Sequence, residues 1–78
     1  MLYRRSQEIE KRLADLVRLI RTGRHSSLTL AAALGISRPT VARCITALRD
    51  RGYTIRSVKD AQGWSYELVA EPEAVTQS

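Results

Sequence analysis

Residues 26–52 hold two segments that each open on a serine and close on a glycine: Ser26 to Gly35, and Ser37 to Gly52. A serine at a helix start accepts a hydrogen bond from an otherwise orphaned N–H, and a glycine just past the end turns the chain out of the helix. Leu28, Leu30, Ala31 and Leu34 supply the apolar positions of the first segment. Val41, Ile45 and Leu48, at helical spacing, supply those of the second. Only Gly35-Ile36-Ser37 is left to connect them, so the two helices must cross steeply, with Ile36 plugging the angle. The alanines at 31–33 permit close approach. Pro39 lies two residues past the serine, in the first turn, where its missing N–H costs nothing. The run is a helix-turn-helix.

On its N-terminal side, Ile9, Leu13, Leu16, Val17 and Ile20 form one apolar face of a helix expected over 7–22. Ser6 is its expected cap, Glu8 and Glu10 lie in its first turn, Arg21 in its last, and Gly23 stops it. From Tyr53 the period changes to two. Tyr53, Ile55 and Ser57 alternate with Thr54, Arg56 and Val58; after Lys59-Asp60-Ala61-Gln62-Gly63, Trp64, Tyr66 and Leu68 alternate with Ser65, Glu67 and Val69. This is a β-hairpin with one of the longer loops. Tyr66 and Leu68 are expected against the third helix, whereas Trp64 either joins the core or stacks on sugar or a partner. The chain therefore reads as an α+β fold, a winged helix-turn-helix of three helices and a two-stranded hairpin. The domain is expected over 1–69, with an acidic flexible tail over 70–78. At 78 residues there is room for one core.

Thirteen Lys and Arg face eight Asp and Glu, for a net charge of +5. The surplus sits in residues 1–24 and above all in 38–59, where Arg38, Arg43, Arg49, Arg51, Arg56 and Lys59 oppose Asp50 alone. Such a balance on a small body favours a polyanionic partner. No apolar run is long enough for a membrane span or a secretory leader, so a cytoplasmic, nucleoid-associated protein is expected, with no membrane partner. One cysteine and one histidine exclude a disulfide framework and an ordinary zinc cluster. Cys44 reads as a reduced thiol. His25 is expected to close a local hydrogen bond. No nucleophile–base pair, paired carboxylates or phosphate loop is present to support catalysis, so neither enzyme activity nor a cofactor, metal or small-molecule effector is expected.

Several of these residues together resemble the winged helix-turn-helix domain at the N-terminus of bifunctional biotin–protein ligases, which acts as the biotin operon repressor, and of related small prokaryotic regulators. The similar stretch runs from about Leu13 to Leu68. It includes Gly23, His25-Ser26, Leu30, Leu34-Gly35-Ile36-Ser37-Arg38, Val41, Ile45 and Leu48-Arg49-Asp50-Arg51-Gly52-Tyr53. Gly63-Trp64-Ser65-Tyr66-Glu67-Leu68 falls where that family has Gly-x-Gly-Tyr-x-Leu, with Ser65 in place of the second glycine. The resemblance implies that the helix matching Arg38–Arg51 enters the major groove and that the hairpin is a wing reaching the flanking backbone or minor groove. No ligase domain accompanies it, so biotin transfer is not implied.

The expected function is sequence-specific binding of double-stranded DNA by a small prokaryotic, viral or plasmid transcriptional regulator such as a repressor. The alternatives are a protein–protein module of the same fold, or an architectural or DNA-processing accessory factor. The expected contacts are Ser37, Arg38, Pro39, Thr40, Arg43 and Cys44 on the outward side of the third helix, and Arg56 and Lys59 on the wing. An outward helix of this kind offers donors for guanine, a hydroxyl, and apolar contact for a thymine methyl. Arg38 and Arg43 are separated by about 7.5 Å along the axis and about 140° around it, so they need not serve the same role. Leu2 and Tyr3, beside Ile9 and Leu13, exceed what the small core requires. They point to a homodimer through the first helix, since one module covers limited groove surface.

Overall fold

The structure is a computed structural model that describes residues 2–72, with side chains from residue 7 onward. Three helices are followed by one hairpin: α1 (Leu2–Arg21), α2 (Ser27–Leu34), α3 (Arg38–Asp50), β1 (Thr54–Asp60) and β2 (Gly63–Ala70). The α+β winged arrangement expected above is thus the observed one.

Helix α1 begins well before the expected residue 7, so Ser6 lies inside it rather than capping it. Nothing in Leu2-Tyr3-Arg4-Arg5 breaks a helix, and a serine caps only where the upstream backbone leaves helical geometry. Leu13, Leu16, Val17 and Ile20 are buried, whereas Ile9 is 43% exposed because its turn projects past the body of the domain. In α2 and α3 the local signals operate as expected. Ser26 Oγ accepts from the Thr29 N–H at 3.1 Å, and Ser37 Oγ from the Thr40 N–H at 3.3 Å. Gly35 adopts a left-handed φ of 68°, and the Ile36 N–H returns to the Ala31 carbonyl at 3.0 Å. This αL turn, available to glycine without steric cost, aims Ile36 back at the core. Helix α3 ends with paired returns: Gly52 N–H to Arg49 O at 3.1 Å, and Tyr53 N–H to Leu48 O at 3.1 Å.

The hairpin corrects two expectations. Asp60 pairs with Gly63, so the connection is only Ala61-Gln62 and not a longer loop. Asp60 Oδ1 accepts from the Gln62 N–H at 2.9 Å, and Gly63 takes the positive φ (119°) that a tight hairpin requires. From that turn the antiparallel register follows: Lys59 opposite Trp64, Ser57 opposite Tyr66, Arg56 opposite Glu67, Ile55 opposite Leu68, with an irregularity between Thr54 and Ile55. Secondly, β2 lies along α1 and α2 while β1 lies along α3, so Tyr66 and Leu68 reach the core from the α1–α2 side. The reason is main-chain pairing. His25, expected in a local hydrogen bond, instead forms an antiparallel bridge with Tyr66, 41 residues away, through Tyr66 N–H to His25 O (2.8 Å) and His25 N–H to Tyr66 O (3.3 Å).

The core is helical: Leu13, Leu16, Val17, Ile20, Leu30, Ala31, Val41, Cys44, Ile45 and Leu48, closed on one side by Ile55. Each large aliphatic buried here contributes about 1.5–3 kcal/mol. Beyond β2 the chain stays engaged. Glu71 meets Arg21, and the Pro72 ring would lie 3.1 Å from a Cβ placed on Gly52. Residues 73–78 of the expected tail lie outside the described residues.

Candidate nucleic-acid interface

The angle between α2 and α3 leaves one side of α3 uncovered. Val41, Cys44, Ile45 and Leu48 face the core; Pro39, Ala42, Arg43, Thr46 and Asp50 face outward. Ala42, Arg43, Thr46, Ala47 and Asp50 line a shallow open concavity of about 370 Å³. Apart from Arg43 and Asp50 the side chains there are small, so this surface can approach a groove floor closely.

Cys44 is not part of that face. It is only 7% exposed and sits between the levels of Val41 and Leu48 on the buried stripe, three and four residues from them. Desolvation pushes its thiol up from the ordinary value, partly offset by the nearby Arg12 charge. A neutral, buried thiol is a packing group. Thr40 is half-buried, and its hydroxyl lies 2.8 Å from Ser37 Oγ, so these two form one capping pair at the start of α3. Pro39 is exposed beside them. Arg38 folds back over the junction of the two helices, with Nε donating to Ser27 Oγ at 3.1 Å. Arg43 therefore stands apart from Arg38: one lies over the helix junction, the other at the centre of the outward face.

Most of the basic residues are already engaged. Arg51 and Arg21 make two-point pairs with Glu10 and Glu71, at 2.6–2.7 and 2.7–2.8 Å. Lys11 and Arg18 share Asp15, Arg24 lies 3.4 Å from Asp60, and Arg56 donates to Glu67 at 2.8 Å across the strands. Arg49 donates to the Ile55 carbonyl at 2.9 Å, tying α3 to β1. Hydrogen bonds from Arg51, Lys11 and Arg21 hold the carboxyls of Glu10, Asp15 and Glu71 below the usual range. Only Arg12, Arg43 and Lys59 lack a hydrogen-bond or salt-bridge partner among the described residues. Arg12 is half-buried beside the core, whereas Arg43 and Lys59 are exposed. Lys59 Nζ lies over the Trp64 ring, 5.9 Å from its centre.

The structure thus gathers Ser37, Arg38, Pro39, Thr40 and Arg43 around the start and outward side of α3, and sets Arg56 and Lys59 on opposite faces of the wing. Three residues near these positions were not singled out as contacts from the sequence: Ala42 and Asp50 beside Arg43, and Ser27 under Arg38; Trp64, expected either in the core or on a sugar or partner, is exposed. Asp50 was legible in principle, being two turns from Arg43.

Among the described residues, no group of three or more His, Cys, Asp or Glu is placed to hold a metal ion, and no helix is long and apolar enough to cross a membrane. The chain matches the family described as "HTH domain" over residues 12–65, from the middle of α1 into β2. No curated protein and no solved structure gives a significant match. Three helices, a two-residue hairpin turn and the matched span point together to a DNA-binding domain of the regulatory helix-turn-helix kind. The chain belongs to the HTH domain family.

Proposed function

We propose that the protein is a sequence-specific double-stranded DNA-binding regulator of transcription, of the small prokaryotic, viral or plasmid type, acting in the cytoplasm at the nucleoid. The observation that carries this reading is Arg43. It is an exposed cation without a partner among the described residues, at the centre of an outward helix face built, apart from Asp50, from small side chains. An unpaired guanidinium matches the two acceptors of guanine in the major groove, and the methyl groups of Ala42 and Thr46 beside it match a thymine methyl. Arg38, with its own amide and the Ser37 hydroxyl at the start of α3, would meet phosphate. The wing supplies backbone contact through Lys59, and through Arg56 where it exchanges Glu67 for phosphate.

The DNA-binding unit is 1–69, followed by the acidic stretch 70–78, whose first residues are fastened through Glu71 and Pro72. Kinship with the DNA-binding domain of the biotin operon repressors is part of the same reading and rests on the residues quoted above. Two copies joined through α1 would double the groove surface covered, and the exposed Ile9 supports that arrangement. Light scattering tests it: a mass of only 8.8 kDa for the free protein, and of one duplex plus a single chain for the complex, rules the dimer out.

The decisive experiment is a salt titration on random duplex followed by selection from a random duplex library. Affinity should fall with a log–log slope of about −0.9 per phosphate, corresponding to about three to five phosphates per subunit. A salt-independent affinity, or a library that returns no preferred site, overturns the proposal.

A further inference from the structure

We infer that Trp64 is a stacking platform for a deoxyribose of the bound duplex, with Lys59 beside it on the adjoining phosphate. The inference rests on the DNA reading proposed above and adds to the wing a contact that carries no charge of its own.

Trp64 is the single tryptophan of the chain and is 62% exposed. It shares a strand face with Tyr66 and Leu68. Those two pack against the core, but Trp64 overhangs its edge, next to the hairpin turn. The ring belongs neither to the core nor to the residues packed against it. Uncovered, the ring leaves apolar area whose burial would be favourable by about 25 cal/mol per Å².

Three features specify what covers it. First, Lys59 Nζ, opposite Trp64 in the ladder, lies over the ring and occupies one of its faces. A wedge driven between base pairs needs both faces free, so a ring with one free face suits a sugar lying flat against it. Secondly, Trp64 and Ser65 are shared walls of two adjoining concavities of about 400 and 210 Å³ between the wing and the approach to α2. The smaller is lined mainly by hydroxyls, Ser27 and Ser57 among them, and the larger is polar throughout, with Ser26 and Thr29 beside Arg24, Asp60 and Gln62. Asp60 on the rim is held by Arg24. A polar trough with Lys59 at one edge and Arg38 at the other fits a sugar–phosphate strand and offers little to an apolar protein surface. Thirdly, Ser27 also receives Arg38, so the trough runs directly into the start of α3. A strand leaving the face around Arg43 past Arg38 reaches Trp64 next.

The position of the tryptophan makes the test specific, because its emission reports this one contact. The full chain is titrated with a labelled random duplex, following the anisotropy of the label and the tryptophan emission together. Both should change with the same midpoint. Trp64→Ala should weaken random and selected duplexes alike, about 3- to 10-fold, with the salt slope unchanged; Trp64→Phe should restore most of the loss. Lys59→Ala should reduce the slope by about one. Thermal melting of each variant confirms that the fold is intact, as expected for an exposed ring. If the duplex binds while emission and Trp64→Ala affinity stay unchanged, the platform is refuted and the DNA reading stands. If emission shifts with protein concentration in the absence of DNA, a second copy covers the ring and the platform is likewise refuted. Absence of any duplex binding removes both readings together.

Discussion

The helix-turn-helix and the wing carry similar basic residues, yet the arginine at the centre of each is held differently, while Lys59 on the wing stays unpaired among the described residues. On α3, Arg43 projects from a face of mostly small side chains with no partner among the described residues. On the wing, Arg56 is neutralised across the strands by Glu67, and Asp60 at the turn takes up Arg24. The two regions also differ in how they are built. The helical part is specified by neighbours in sequence: serines that cap, glycines that stop, apolar residues three and four apart. The hairpin is specified by a turn that sets register and by a main-chain bridge to His25. The comparison teaches that charge counted along a chain measures what is present and not what is free to bind.

The largest expected effect tests whether the wing depends on the helices. Leu30 has no exposed surface, so Leu30→Ala should cost about 2–5 kcal/mol in urea unfolding. The hairpin should melt with the helices; strand signal that survives helix loss would show that the two regions are independent. Next, Arg43→Ala should cost about 1–3 kcal/mol on the selected site and much less on random duplex. Equal losses on both would make α3 a holder and not a reader. Ser37→Ala removes the cap of α3 and should lower stability by about 1 kcal/mol, whereas Ser57→Ala, exposed on the wing, should stay within about 0.5 kcal/mol in the same thermal melts.

Smaller effects sharpen the contrast in charge. Glu67→Gln should release Arg56, steepening the salt slope on random duplex by about one while changing stability little. An unchanged slope would mean that Arg56 does not face the backbone even when free. The smallest effect concerns acid. The carboxyls of Glu10, Asp15 and Glu71 are lowered by their basic partners, so their contribution is present above the ordinary carboxylate range. It is lost as pH falls through that range and below. Melting temperature should therefore decline modestly on acidification, since all three pairs are on the surface.

How far each region was legible in the sequence follows from the same contrast. Ser26, Gly35, Ser37 and Gly52 announced α2 and α3 because each acts within four residues of itself. Ser6 misled for the same reason: a serine preceding an apolar stripe looks like a cap until the residues before it prove helical. Cys44 was assigned outward by its relation to Thr40, although its spacing from Val41 and Leu48 places it on the buried stripe, and Thr40 itself lies at the boundary. The wing was legible as a hairpin but not in detail. A longer loop leaves the register open, and only the closure of Asp60 on Gly63 sets Arg56 against Glu67 and Lys59 against Trp64. The site divides likewise. Arg43 could be placed by helical geometry alone, whereas the engagement of Arg38 with Ser27 depends on how two helices cross.

The isolated bridge between His25 and Tyr66 ties the connector ahead of α2 to the free edge of the two-stranded sheet. Two main-chain hydrogen bonds, one donated by His25 and one by Tyr66, join this connector to β2, so they form and open as a unit with the seating of the wing. In native-state hydrogen exchange the His25 amide, which belongs to no helix, acts as a sentinel: its protection measures the free energy of lifting the wing from the body. A duplex that grips both α3 and the wing would slow that amide more than the interior amides of α1, giving a readout of clamping independent of affinity.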